Sequence, residues 1–157
     1  MRGTSIFCAA LIVALLGARA QAAEPLLGRW LLVSQEIDGH KTGINQMLLR
    51  ITAAGKALEF AYSVPVNNIQ FVSLRFSARP DGTDADVTNG DGKKIGTAKV
   101  TKASPTQYKI IVQGQNRPTA NGMATVSADG KTLTWQSDSK QPGQTAATRM
   151  VQVFARQ

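Results

Sequence analysis

The sequence runs to 157 residues, with 18 lysines and arginines against 10 aspartates and glutamates, a formal charge of +8, one cysteine and one histidine. A lone thiol excludes a disulfide framework, and a lone histidine with it excludes a Cys/His-rich metal site. The positive balance favours solubility and attraction to anionic surfaces without identifying a partner.

The chain opens with Arg2, an apolar run from Ile6 to Leu16, and small residues at Ala18, Ala20, Ala22 and Ala23. A basic start, a short apolar stretch and an A-x-A exit are the parts of a secretory signal peptide. The run falls short of the ~20 apolar residues that a spanning helix needs, and no other stretch approaches that length. The expectation is therefore a signal peptide over 1–22, leaving near Ala20 or Ala22, and one domain over 23–157, exported to the periplasm or the extracellular space. Cys8 lies inside the apolar run rather than at its exit, which argues against a lipid anchor. Removing the leader takes Cys8, Arg2 and Arg19 with it and lowers the charge to +6. A domain of this size buries roughly two thirds of its unfolded surface, enough for a core without disulfides.

From Trp30 onward, short segments alternate apolar and polar residues. Leu58, Phe60, Tyr62 and Val64 alternate with Glu59, Ala61 and Ser63; Val72, Leu74, Phe76 and Ala78 alternate with Ser73, Arg75 and Ser77. Tyr108, Ile110 and Val112 repeat the pattern, as do Leu133 and Trp135. A period of two belongs to strands with one buried face. The pattern predicts about ten strands, near 30–37, 47–51, 58–64, 69–78, 84–89, 95–102, 108–113, 122–127, 131–137 and 147–156. Between them stand turn residues: Asp38-Gly39, Gly55, Asp81-Gly82, Asn89-Gly90-Asp91-Gly92, Asn121-Gly122 and Asp129-Gly130. Glycine takes positive φ at no steric cost, and Asn or Asp tolerate it. Asn116–Asn121 and Gln141–Thr145 read as surface loops. Helical signal is confined to Thr42–Leu49, where a turn or two capped by Thr42 is the expectation. Short hairpins between successive strands, and the need to remove sheet edges, favour an all-β antiparallel up-and-down barrel of about 8–10 strands. A sandwich shares the same periodicity.

The first strand begins Leu27-Gly28-Arg29-Trp30, which resembles the G-x-W opening of lipocalins and related calycin barrels. The run Val126-Ser127-Ala128-Asp129-Gly130-Lys131-Thr132-Leu133-Thr134, with the ending Val153-Phe154-Ala155-Arg156-Gln157, resembles exported bacterial lipocalin-like proteins of unassigned activity. The resemblance implies a barrel in which Trp30 packs at the closed end beneath an arginine of the last strand, either Arg149 or Arg156. It implies a fold and carries no catalytic residue.

Chemistry-bearing residues do not assemble into a motif. His40 sits in a turn beside Asp38-Gly39 and Lys41, without the spacing of a triad. Asp84 and Asp86 share a strand face near Asp81 and Asp91, but the closing glutamate of a calcium loop is missing. Gly90, Gly92 and Gly96 lack the strand-then-helix context of a phosphate loop. Lys93, Lys94, Lys99, Lys102, Lys109 and Arg117 form an interval free of acidic residues, which suits a solvated hairpin side or an anionic surface. Without exposed aromatics as a stacking platform, it argues against nucleic acid. No metal, cofactor or catalytic residue is expected, and the chain reads as a non-enzyme. Leu58, Phe60, Tyr62, Val64, Leu74, Phe76, Tyr108, Ile110, Leu133 and Trp135 are the candidate inward lining. They either fill the barrel or surround a cavity, according to its width. A cavity would make the protein a carrier of a small hydrophobic or amphipathic molecule. A filled barrel would suit an envelope interaction module or a protease-inhibitor-like protein.

Overall fold

The computed structural model describes residues 24–44, 46–67, 69–115, 118–140 and 143–157. The expected signal peptide, with Cys8 and the exit at Ala20 or Ala22, lies outside the described residues. The strands are β1 (Gly28–Ile37), β2 (His40–Lys41), β3 (Leu48–Ala54), β4 (Ala57–Val66), β5 (Ile69–Ala78), β6 (Asp81–Thr88), β7 (Lys94–Ser104), β8 (Gln107–Gly114), β9 (Thr119–Val126), β10 (Thr132–Lys140) and β11 (Thr148–Arg156). Each pairs antiparallel with its successor from β3 to β11, and β1 pairs with both β3 and β11. The result is a closed ten-stranded up-and-down barrel, with β2 as a short flap on β1. Closure satisfies the edges that an open sheet would present to water.

Most hairpins turn where the sequence places glycine or Asx at positive φ, while β7–β8 turns at Pro105-Thr106 without one. Asp38 and Gly39 take φ of 48° and 80°, and Gly55, Gly82, Gly92 and Gly130 lie between 62° and 86°. Residues 42–44 and 46–47 are irregular chain rather than the helical turn expected over Thr42–Leu49. Thr42 is held instead by β1: its N–H donates to the Gln35 carbonyl at 3.0 Å, and its hydroxyl accepts from Gln35 Nε2 at 3.0 Å. Thr119–Asn121, expected as loop, begins β9.

Among the register shifts, one in β1 and one in β5 re-aim side chains. Between Leu32 and Ser34 the β1–β11 register shifts, leaving Val33 as an extra, exposed residue. Beyond it Gln35 and Ile37 face inward, opposite Gln152 and Met150, and Glu36 is sent outward. In β5, Leu74 pairs with Tyr62 but Val72 pairs with Ser63, so Ser73 is the extra residue; its hydroxyl donates to the Tyr62 carbonyl at 3.2 Å. Strict alternation puts Val72 on the same face as Leu74. The bulge reverses this, turning Val72 outward and bringing Phe71 and Ile69 onto the inner phase, opposite Val64 and Val66. A β-bulge has this effect because one added residue flips every side chain beyond it.

Candidate functional site: a closed end and an open mouth

Residues 24–27 and the turns at 80–82, 105–106 and 127–131 lie at one end of the barrel. Leu26 and Trp30 are fully buried there with Tyr108, Leu133, Val126 and Phe154. Trp30 Nε1 donates to the Leu26 carbonyl at 3.0 Å, so the indole fixes the segment that plugs the barrel. Arg156 lies over the Trp30 ring, with its guanidinium carbon 4.2 Å from the centroid. It also donates to the carbonyls of Pro25 (2.7 Å), Leu27 (2.7 Å) and Gly130 (2.5 Å). A planar cation over an indole is attracted by the ring quadrupole, and the fork spends its donors on carbonyls the chain would otherwise leave open. Of the two arginines considered for this place, the geometry selects Arg156. Arg149 stands near the other end and pairs with Asp138 at 3.0 Å, while its backbone N–H donates to Asp38 at 2.8 Å. Gly28 has φ of 149°, and a Cβ there would stand 2.7 Å from Arg156 Nη1.

Above this plug the barrel is filled. Phe60 and Phe76 stack with centroids 4.5 Å apart and planes at 14°, and Ile110, Val87, Ala98, Ala124 and Trp135 are buried around them. Leu58, Phe60, Phe76, Tyr108, Ile110, Leu133 and Trp135 all belong to this packed core. The three remaining residues of the expected lining, Tyr62, Val64 and Leu74, lie higher and are only half-buried. Burial raises the Tyr62 phenol above its ordinary value, so it stays protonated. A polar belt caps the core on the β1–β11 side: Gln152 Nε2 donates to Gln35 Oε1 at 2.7 Å. Ser137, fully buried beside it, has no hydrogen-bond partner for its hydroxyl among the described residues.

At the open end two hollows meet at Pro118. One, of about 120 Å³, is lined by Leu74, Val87, Ile95, Val112 and Pro118 with Gly96 and Gly114 beside them. The other, of about 320 Å³, lies between Ile37, Ala120, Ser139 and Met150. From Leu74 the apolar face continues outward. β3 follows β4 only as far as Ser63, and β6 follows β5 only at Arg75 and Phe76. Beyond these rows the β4–β5 hairpin continues as a two-stranded ribbon, touched by Gln46, whose carbonyl accepts from Gln70 Nε2 at 3.3 Å, and by Gly90 against Val72; its inner face carries Val64, Val66, Ile69 and Phe71. Ile69 is 61% exposed and Phe71 51%.

No family model matches the chain, and no curated protein is similar to it. Among solved structures, it is similar to Rv2717c from M. tuberculosis, at 16% identity and a TM-score of 0.31, over 87% of this chain and 96% of that one.

Some of the acidic and basic residues picked out in the sequence are paired. Asp86 pairs with Lys94, Asp84 with Lys99 at 3.3 Å, and Glu24 with Lys102 at 2.8 Å. The Lys102 ammonium also lies 5.4 Å from the Tyr108 ring centroid. His40 is exposed in the β2 flap. Sequence reasoning missed Ile95, Pro118 and the outward Val72. Ile95 reaches the hollow because the β6–β7 register shifts between Val87 and Thr88, which no periodicity reveals. Ser137 was within reach, since it continues the phase of Leu133 and Trp135.

Proposed function

We propose that this protein is a non-enzymatic binding protein that takes a small hydrophobic or amphipathic molecule at its open end. One observation carries the reading: the inner face of the β4–β5 ribbon, with Val64 and Phe71 exposed or half-buried, leads past Tyr62 and Leu74 toward the hollow lined by Val87, Ile95, Val112 and Gln113. A hollow near 120 Å³ compares with the ~150 Å³ cavity that holds a benzene ring. It suits a ring or the end of a short chain, and the remainder of the ligand would lie against Val64 and Phe71. Binding there needs no displacement of the stacked Phe60–Phe76 pair. Titration with medium-chain fatty acids, followed by Trp135 fluorescence, should saturate. Val112→Asp should abolish the response while the circular dichroism stays that of a β-protein. A response that survives Val112→Asp would refute the site.

A second reading, an interaction module of the cell envelope, draws on the filled barrel and the projecting ribbon. It makes Ile69 and Phe71 the contact residues and the hollow irrelevant. The two readings part on one pair of variants. Val112→Asp cripples a carrier and spares a contact arm, whereas Phe71→Ser cripples the arm and only weakens the carrier.

A further inference from the structure

The outer wall of the barrel carries a second feature, on the opposite side of the sheet from the mouth hollow. The register sets Arg29 directly opposite Arg50, Arg50 opposite Ala61, and Ala61 opposite Arg75. All four face outward, because Trp30, Leu49, Ile51, Phe60 and Phe76 on either side of them are buried inside. Three arginines thus stand in a single row across four strands. Like charges directly opposed on a sheet are destabilising. Arg75 is relieved by Glu59 at 3.6 Å. Among the described residues, no carboxylate lies within ion-pair distance of Arg29 or Arg50.

The row borders a depression of about 280 Å³ lined by Arg29, Arg50, Leu48, Ala61, Ser63 and Val72. Its floor is apolar. Ala61 is only 3% exposed although it faces outward, and Val72 reaches this side because of the Ser73 bulge. Arg29, Arg50 and Ser63 are the polar residues of its lining. We propose that this groove binds the phosphate group of an alkyl or aryl phosphate ester, with the phosphate between Arg29 and Arg50 and the apolar part over Leu48 and Val72. The choice of head group follows from counting acceptors. A carboxylate brings one charge and two oxygens, whereas a phosphate monoester brings close to two charges and three free oxygens, the better match to two guanidiniums and a hydroxyl. The choice of an ester over the free ion follows from the apolar floor, which inorganic phosphate would leave in water.

Octyl phosphate, kept below its micelle concentration, tests this in the 23–157 protein by calorimetry and thermal melts. The expected result, read in Val112→Asp so that the mouth does not contribute, is one saturable site, with inorganic phosphate at least tenfold weaker and octyl glucoside without effect in competition. The double variant Arg29→Gln/Arg50→Gln should lose at least tenfold in affinity. Its melting temperature without ligand should match or exceed that of the parent, since an opposed like-charge pair is gone. Val112→Asp, which disables the mouth, should leave octyl phosphate binding intact; loss of binding there would place the ester at the mouth and overturn the groove. Equal affinity in the arginine variant would overturn it as well. So would binding confined to phosphatidylglycerol vesicles with none to the monomeric ester, an outcome that assigns the arginines to a lipid surface.

Discussion

At the Trp30 end the barrel closes on itself: Leu26 and Trp30 are inaccessible, and the Arg156 guanidinium reaches three carbonyls and a ring. At the other end the β4–β5 ribbon outruns its neighbours and leaves Ile69 and Phe71 mostly in water. Both ends use the same alternating strands. They differ in what happens beyond the last complete row of side chains. One end is plugged by the preceding segment, and the other has its apolar phase prolonged past the sheet by a bulge. Stability should therefore reside in the first end and ligand contact in the second.

The largest effect that would break this division is at the plug. Trp30→Ala removes a fully buried indole and the hydrogen bond to Leu26, and a loss of about 3–5 kcal/mol is expected in urea unfolding. A loss under about 1 kcal/mol would show that the plug is not where stability lies. Arg156→Ala should cost less, about 1–2 kcal/mol, because the guanidinium is exposed on one side and its contacts are partly screened. Arg156→Lys should recover only part of that, since an ammonium cannot reproduce the fork.

At the mouth the expectation reverses. Ile69→Ser with Phe71→Ser should move stability by no more than about 0.5 kcal/mol, as exposed substitutions do, while weakening fatty-acid binding severalfold in the Trp135 titration. A large destabilisation would mean that the ribbon is part of the core. Ser137→Ala sharpens the border between the two regions. Its hydroxyl is buried with no protein partner, so removing it should be neutral or stabilising by up to about 1 kcal/mol. A clear loss would show that the hydroxyl has a bound water or ligand to serve.

The same division explains what could be read in the sequence. The hairpins and the all-β class were legible because turn glycines and a two-residue period are local properties, whereas barrel and sandwich share that period and only the β1–β11 pairing decides between them. Trp30 and Arg156 were legible only through resemblance, and the choice between Arg149 and Arg156 required the register that sets Trp30 opposite Arg156. The proposed binding surfaces were hidden by three single-residue shifts, at Val33, Ser73 and Ile95. Each reverses the faces of the residues beyond it. Strict alternation therefore assigns Val72 to the interior and Phe71 to the outer wall, the reverse of their positions. The opposed arginines belong to different strands, and nothing in either strand alone announces that they meet.

The smallest effect compares two carboxylates, one at each end. Asp129, in the turn beside the plug, is held below the ordinary carboxylate range by the Ser127 hydroxyl at 2.6 Å and by the Lys131 N–H at 3.0 Å. Asp138, toward the mouth, is lowered first by a hydrogen bond from Arg149 and then by its charge. Each folded value lies below the unfolded one. Each carboxylate therefore contributes stability that is present above the unfolded value, near pH 3.8, and that fades as the pH falls through the folded one. The two respond differently to salt. A hydrogen bond from a hydroxyl and an amide is short-ranged, whereas an exposed ion pair is screened over a Debye length of about 3 Å at 1 M. In carboxyl-carbon NMR titrations, 1 M sodium chloride should move Asp138 toward its ordinary value and leave Asp129 nearly in place. Ser127→Ala should move Asp129 alone. Equal salt shifts at both carboxylates would show that the turn beside the plug is held by long-range charge, and the contrast between locally bonded and ion-paired ends would fail.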